Sequence, residues 1–329
     1  MKHNSRSRLV ETLGIVFLSL FAFILMVLVI HDDAFPSAGK SPAVAIKKRG
    51  ISMKNWSLGR LDISLPEQFK IIGRNQSIYQ LQVDTIPLQG KSAQELWDER
   101  VNYVRNEHIA NGYSLDTFKV TEISPGFSAV FYKGNQSMPF LVTVEAYKPV
   151  PGHIFKMKFT GEEGKEDVML RGISLTADDY RSAIENGFNI GAGSLVSPPS
   201  VNESASATFE DNVNHMRLRV YLHTAGSRLS KGPMHNIDEE IKGLGAEGIK
   251  LRVLHRRSRK AAGFSGEDAL VELKGPMLPG LRYTWFYAGE TANSFKPEIR
   301  IQMKSAIENQ EEATAVWNLI IDSMKMREP

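Results

Sequence analysis

The chain has 329 residues, of which 42% are hydrophobic and 23% charged, and its formal net charge is +3. These values are those of an ordinary globular chain of about two domains, so they exclude extensive disorder and the strongly basic footprint of a nucleic-acid-binding protein. Cysteine is absent, which excludes disulfides, thiolate catalysis and cysteine-ligated zinc.

The N-terminus predicts a membrane anchor followed by a tether. Lys2, Arg6 and Arg8 precede "LGIVFLSLFAFILMVLVI", an uncharged apolar run of 18 residues from Leu13 to Ile30. A helix of this length can just cross a hydrocarbon core, and its basic flank stays in the cytoplasm; a cleaved signal peptide, the alternative, has a shorter apolar region. We therefore expect a cytoplasmic segment at 1–12, a single-pass helix in a bacterial inner membrane at 13–30, a tether at 31–50 and the folded bulk in the periplasm.

Alternating and helical patterns then follow one another up to residue 196. Period-two alternation predicts strands at "RLDISLP" and "IYQLQVD", and a helical period predicts a helix over 92–109 with Trp97, Val101 and Val104 on its apolar stripe. Four strand-like runs come next, at "TFKVTEI", "SAVFYK", "FLVTVEAY" and "HIFKMKFTG". A short helix at "TADDYRSAIENG", with Thr176 as its N-cap, ends the series.

The same order of elements returns after "NGFNIGAGSLVSPPS". Strands at "ASATFED" and "MRLRVYLH" precede a helical region at "HNIDEEIKGLGAEG", four more strands and a helix from Glu311 to about Met326. We therefore predict an α+β fold of two similar tandem domains, each an antiparallel sheet packed with helices. The predicted boundaries are 51–196 for the first domain, 197–204 for a linker and 205–329 for the second domain.

The sequence offers no catalytic constellation, so we predict that the chain is not an enzyme and holds no cofactor or metal. The glycines from Gly187 to Gly193 lack the Lys-Ser/Thr of a P-loop and precede a Pro-rich linker, so we expect them to serve turns. "GFSGE", around Ser265, lacks the final glycine of a nucleophile elbow, and the histidines lack the spacing of a zinc helix. Asp178 and Asp179 are expected at a helix start, where carboxylates favour the helix dipole.

The basic run "KLRVLHRRSRK", from Lys250 to Lys260, is the strongest candidate for a binding surface. It begins as a strand with an outward basic face, and we expect it to continue as Arg256, Arg257 and Arg259 into a hairpin loop. Such charge can protect a sheet edge from aggregation, or it can bind an acidic protein or anionic lipid, and both interpretations stay open. The predicted partner-binding residues are Arg252, Arg256, Arg257 and Arg259.

Several motifs, in their order, resemble those of immunity proteins against type VI secretion lipase effectors. "SLGRLDISLPEQF" is similar to that family's opening "Cys-x-Gly-Arg-Tyr-x-Ile-Asp-Leu-Pro", and "ENGFNIGAGSLVSPPSVNESASATFE" to its mid-chain "Gly-Phe-Cys-x-Gly-x-Gly". Its C-terminal domain is similar, in order, to "GFSGEDALVELK", "YTWFYAGETANSFKPEIRIQMKS" and "AVWNLIIDSMKMREP". The resemblance covers most of residues 50–329, and the strand-helix-strand layout also resembles PsbP-like domains.

The resemblance implies a periplasmic inhibitor that binds and neutralises a secreted phospholipase and so protects the producing cell. A membrane anchor would concentrate such an inhibitor where the toxin acts. Ser57 and Asn189 stand where family members often have cysteine, so the resemblance also implies that these two residues lie near each other. The alternative is a non-catalytic envelope module of PsbP-like type that binds lipid or protein.

Overall fold

A computed structural model describes residues 51–182, 186–196, 202–224, 250–275 and 279–327. The predicted transmembrane helix at 13–30, the tether at 31–50 and the predicted helical region at 235–248 lie outside the described residues. Within the described part of the chain, no helix is both long enough and apolar enough to cross a membrane.

The described residues form a mostly antiparallel β-sheet with few helices, which is the predicted α+β class. The strands are β1 (Met53–Leu58), β2 (Leu61–Pro66), β3 (Lys70–Ile78), β4 (Leu81–Pro87), β5 (Lys119–Ser124), β6 (Phe127–Tyr132), β7 (Leu141–Val150), β8 (His153–Glu162), β9 (Tyr180–Arg181), β10 (Phe188–Asn189), β11 (Ser194–Leu195), β12 (Glu203–Asp211), β13 (Met216–His223), β14 (Lys250–Ala261), β15 (Phe264–Lys274), β16 (Gly280–Tyr287), β17 (Glu298–Ser305) and β18 (Lys325–Met326). The helices are α1 (Ala93–Ala110), α2 (Glu166–Asp178) and α3 (Gln310–Ser323), with short 3-10 turns at Leu115–Thr117 and Ile307–Asn309.

Twelve strands form one sheet in the order β14-β15-β16-β17-β13-β12-β3-β4-β8-β7-β6-β5. The two halves meet where β12 pairs with β3, and each contributes six strands. Counted outward from this junction, the strands of each half follow the order first, second, sixth, fifth, fourth and third along the chain. Every pairing is antiparallel. We call β3–β8 the N-terminal half of the sheet and β12–β17 the C-terminal half. β12 begins at Glu203, inside the predicted linker.

The N-terminal hairpin β1–β2 packs with the C-terminal end of the chain. β2 pairs with β18, and the backbone N–H of Ser64 donates to Ser323 Oγ at 2.9 Å. Leu61, Ile63 and Leu65 are at most 1% exposed and belong to a hydrophobic core that includes the buried face of α3. β2 was predicted to start the N-terminal series of strands, but this contact ties the hairpin to the other half.

The true first strand of the N-terminal half, β3, was missed. The run "IYQLQVD" was predicted as one strand, but Tyr79 and Gln80 have φ angles of 50° and 67° and form the turn between β3 and β4. Positive φ at both central residues is the geometry of a tight hairpin turn. Tyr79 lies in this turn and is 54% exposed.

Two of the three predicted helices that can be compared are confirmed. Helix α1 begins after Ser92, whose hydroxyl and whose partner Glu95 form a reciprocal capping box, and Trp97 and Val104 are buried against the sheet. Helix α3 ends at Ser323, about three residues before the predicted end. Its apolar face, Ala313, Val316, Trp317, Ile320 and Ile321, is buried together with Met324, which follows the helix.

The prediction of a third helix, over 176–187, is wrong. Helix α2 begins ten residues earlier, at Glu166, where two acidic residues favour the dipole of its first turn. Thr176 is not an N-cap, because it lies in the last turn and its hydroxyl donates to Gly172 O at 2.9 Å. Asp178 and Asp179 end this helix rather than start one, and Tyr180 and Arg181 then pair with β11.

Candidate partner-binding edge

The four predicted arginines lie along the strand β14, at one edge of the sheet, and not in a loop. β14 continues to Ala261 and turns at Ala262 and Gly263, whose φ angles are 51° and 85°. The prediction of a loop at Arg256 is therefore wrong. A strand rich in charged side chains is compatible with a sheet edge, and the residues with positive φ determine where the hairpin turns.

The pairing of β14 with β15 brings three of the four arginines to one face. Arg252 lies opposite Glu272, Arg257 opposite Asp268 and Arg259 opposite Gly266, and a bulge at Leu254 keeps them in phase. Arg256 lies opposite Ala269 and so projects from the other face.

Asp268, on the shared face, is fully buried and organises this edge. Arg257 Nε donates to Asp268 Oδ2 at 2.8 Å, and the indole N–H of Trp317 donates to Asp268 Oδ1 at 3.1 Å. Arg259 Nη1 lies 3.6 Å from Oδ2. Arg259 also donates to Asn318 Oδ1 at 2.8 Å and to Asp322 Oδ1 at 2.7 Å. These contacts attach β14 to α3, so Arg259, with only 12% of its side chain exposed, has a structural role.

Of the three arginines on this face, Arg252 and Arg257 are the accessible ones, because their side chains are 72% and 52% exposed. Arg252 Nη1 is 3.7 Å from Glu272 Oε2, a contact too long to hold the guanidinium firmly. Lys274, at the far end of β15, adds a 58% exposed ammonium, which lies 3.1 Å from Glu272 Oε1. In the strand register it is opposite Lys250. The sequence prediction missed Lys274. Placing the turn at Ala262 and Gly263 and counting back along both strands would have found it.

The other sequence candidates have structural roles. Ser265 lies within β15 opposite Lys260, not at a strand-to-helix turn. The glycine-rich stretch forms the small strands β10 and β11, where Gly187 and Gly191 have the expected positive φ. A side chain at Gly191 would collide with the guanidinium of Arg74. Among the described residues, no group of three or more acidic or histidine side chains could hold a metal ion.

The segments that carry Ser57 and Asn189 lie side by side. The backbone of Asn189 exchanges two hydrogen bonds with Gly59, at 2.9 and 3.1 Å, two residues beyond Ser57. The two side chains have different partners, however. Ser57 Oγ donates to Asp62 Oδ1 at 2.6 Å, whereas Asn189 Oδ1 accepts from the backbone N–H of Gly191 at 2.9 Å.

Comparison with known proteins finds a family model that matches the C-terminal part of the chain. Residues 183–329 match the family model described as Tle cognate immunity protein 4 C-terminal domain. This C-terminal part of the chain is therefore similar to that domain family. The resemblance to immunity proteins is confirmed, and with it the prediction that the chain is not an enzyme. No curated protein matches the chain.

Solved structures share the fold over most of the chain. The apo structure of the immunity protein TplEi of the type VI secretion system from Pseudomonas aeruginosa has a TM-score of 0.67 at 15% identity and covers 84% of this chain and 97% of its own. The Tle4-Tli4 complex has a TM-score of 0.67 at 16% identity, with 84% and 97% coverage. TplEi complexed with "L" peptide has a TM-score of 0.64 at 16% identity, with 84% and 98% coverage.

Proposed function

We propose that this chain is an immunity protein that binds a type VI secreted lipase or phospholipase effector and neutralises it, so that the producing cell is protected. The observation that carries the proposal is the family match of residues 183–329, extended by a fold shared with TplEi over both halves of the sheet. A related solved structure is a complex of Tle4 with Tli4, which supports direct binding as the means of inhibition.

We propose further that the chain works as two similar units that together hold the effector. The identical strand order of the two halves supports this organisation. An effector held by both units would bury more than the ~1,600 Å² of a standard protein–protein interface.

The cellular location is also a proposal. The apolar run from Leu13 to Ile30, with basic residues before it, supports a single-pass anchor in the inner membrane with the sheet in the periplasm. A tethered inhibitor has a high local concentration at the membrane surface, which is where a phospholipase acts.

On the candidate edge, we propose that Arg252 and Arg257 contact the effector, with Arg256 on the opposite face and Arg259 holding the strand in place. Arg252 and Arg257 share one face and are the more exposed of the three arginines on it. Exposed cations of this kind attract an acidic partner and raise its association rate.

Co-expression tests the function. The full chain should restore growth to cells that export its cognate lipase effector into the periplasm, and the two proteins should co-purify. Reversal of both charges, Arg252→Glu with Arg257→Glu, should weaken the complex about tenfold or more. The control, Lys91→Glu with Lys165→Glu, changes two exposed lysines elsewhere and should bind normally. Absence of both rescue and complex would refute the function, and bound lipid on purification would then favour the envelope-module alternative.

A further inference from the structure

The sheet opens between β3 and β4. These strands pair only at Ser77 with Gln82 and at Ile78 with Leu81, next to their turn. Beyond this point β3 stays with β12 as far as Lys70, and β4 stays with β8 as far as Pro87. We call the space between residues 74–76 and 82–84 the β3–β4 gap. The equivalent strands of the C-terminal half, β12 and β13, are paired along their whole length.

The glycine-rich stretch closes the β3–β4 gap from one side. Gln76 Nε2 donates to Asn189 O at 2.5 Å, Thr85 Oγ1 donates to Ile190 O at 3.0 Å, and the N–H of Ala192 donates to Thr85 Oγ1 at 3.1 Å. Gly191 lies against Arg74, whose guanidinium reaches across the gap to Asp84. These contacts hold the gap open in a fixed shape.

What remains open is a polar cavity of about 120 Å³. Its walls come from β3, β4 and β8 and include Arg74, Gln76, Asp84, Lys156 and Lys158. A space of this size accommodates a carboxylate-sized group together with water.

The charges around the cavity do not balance. Arg74 pairs with Asp84, and Arg100 makes a two-pronged contact with the fully buried Glu145, at 2.8 and 2.5 Å. Lys156 and Lys158 face the same Glu145, but their Nζ atoms are 3.5 and 3.7 Å from it. Four cations thus share two carboxylates, and neither ammonium donates a hydrogen bond within the described part of the chain. The cavity is therefore suited to an incoming anion.

Gln76 adds a requirement for a hydrogen-bond donor. The side chain is 2% exposed, and its Oε1 has no hydrogen-bond partner among the described residues. A buried acceptor of this kind costs free energy until a donor reaches it. Because the strand ladder is also interrupted here, an extended peptide, which carries N–H donors along its length, suits the gap better than a bare anion does.

We propose that the β3–β4 gap is a subsite for an acidic side chain on an extended segment of a protein partner. The carboxylate lies by Lys156 and Lys158, and a peptide N–H of the same segment donates to Gln76 Oε1. The inference rests on the proposed function only for the identity of that partner, which would be the effector.

A peptide titration of the full chain tests the subsite without the effector. The probes are a blocked five-residue peptide of Thr and Val with one central Glu, the same peptide with Gln, and inorganic phosphate. NMR of ¹³C-labelled lysine reports on Lys156 and Lys158. We expect the Glu peptide to shift both signals at concentrations where the Gln peptide does not. Phosphate binding as tightly as the Glu peptide would overturn the peptide assignment, and no shift with any probe would overturn the subsite.

Variants separate the subsite from general charge. Lys156→Gln with Lys158→Gln should reduce affinity for the Glu peptide, and for the effector, about tenfold or more. Lys156→Arg with Lys158→Arg should retain binding, and so should the control Lys91→Gln with Lys165→Gln. Asp84→Asn removes a competing carboxylate and should tighten binding.

The outcomes with the effector separate the two proposals. If the unaltered chain does not bind the effector, the proposed function is refuted. The peptide titration tests the subsite independently of that result. If the chain binds the effector and the Lys→Gln pair binds it equally well, the subsite is refuted and the function stands. If the pair instead loses only binding to vesicles of anionic lipid, the gap recognises a membrane headgroup and the assignment to a protein partner is refuted.

Discussion

The two halves of the sheet share one strand order, but the surroundings of the buried carboxylate differ between them. In the C-terminal half, the strands are paired throughout, and Asp268 is enclosed between β14, β15 and Trp317 of α3. In the N-terminal half, β3 and β4 separate, and two of the cations beside Glu145, Lys156 and Lys158, line an open cavity. The same topology thus provides a closed scaffold on one side and an opening on the other.

The halves are also tied together, because the hairpin β1–β2 precedes the N-terminal half in sequence but packs on the C-terminal helix. We predict the largest effect for substitutions that disrupt this packing. Leu61→Ala with Leu65→Ala should lower the free energy of unfolding by about 5 kcal/mol or more, since each buried Leu→Ala costs about 2–5 kcal/mol. Urea unfolding followed by tryptophan fluorescence would measure this loss.

Leu319→Ala is the matched control, because Leu319 lies on the outer face of α3 with 43% exposure and should change stability by less than about 0.5 kcal/mol. If the double variant unfolded in two steps, with the C-terminal half unaffected, the hairpin would not join the halves.

The sequence predicted the elements that carry their own signals within a few neighbouring residues. Helix α1 carries its own capping box at Ser92 and Glu95, and α3 shows an unbroken apolar face. The strand β3 was missed because its first four residues, from Lys70 to Gly73, are all exposed beside the β3–β4 gap and show no alternation.

Long-range contacts had no local signal. No pattern within "RLDISLP" indicates that β2 pairs with residues more than 250 positions away. For the same reason, the four arginines could be named from the sequence, but their division between two faces depends on the bulge at Leu254. The subsite at the β3–β4 gap combines residues from three strands and the glycine-rich stretch, so it could not be predicted either.

The second prediction concerns pH and the N-terminal carboxylate. Burial alone would raise the pKa of Glu145, but the hydrogen bonds from Arg100, the charge of Lys156 and the hydroxyl of Tyr132 outweigh it and lower the pKa to about 2. A lowered folded-state pKa stabilises the fold above the unfolded value of 4.5, and this stabilisation is lost as pH falls toward 2. The contribution at neutral pH is on the order of 3 kcal/mol.

Denaturant unfolding between pH 2 and pH 7 would measure the contribution of Glu145 to stability. Glu145→Gln should remove most of the change in stability within the window from 4.5 to 2, whereas Glu162→Gln, at an exposed position, should leave the change intact. An unaltered pH profile in Glu145→Gln would mean that other carboxylates account for the acid sensitivity.

The smallest predicted effect concerns Arg259, in the C-terminal half of the sheet. Arg259→Ala removes the contacts of β14 with Asn318 and Asp322 and withdraws a cation from Asp268, so it should cost about 1–3 kcal/mol of unfolding free energy. Arg252→Ala, on the same face but 72% exposed, should stay within about 0.5 kcal/mol. Effector binding should show the reverse order among variants that remain folded, with Arg252→Ala weakening the complex more than Arg259→Ala. Equal effects on both measurements would mean that the edge does not divide its arginines between holding α3 and meeting a partner.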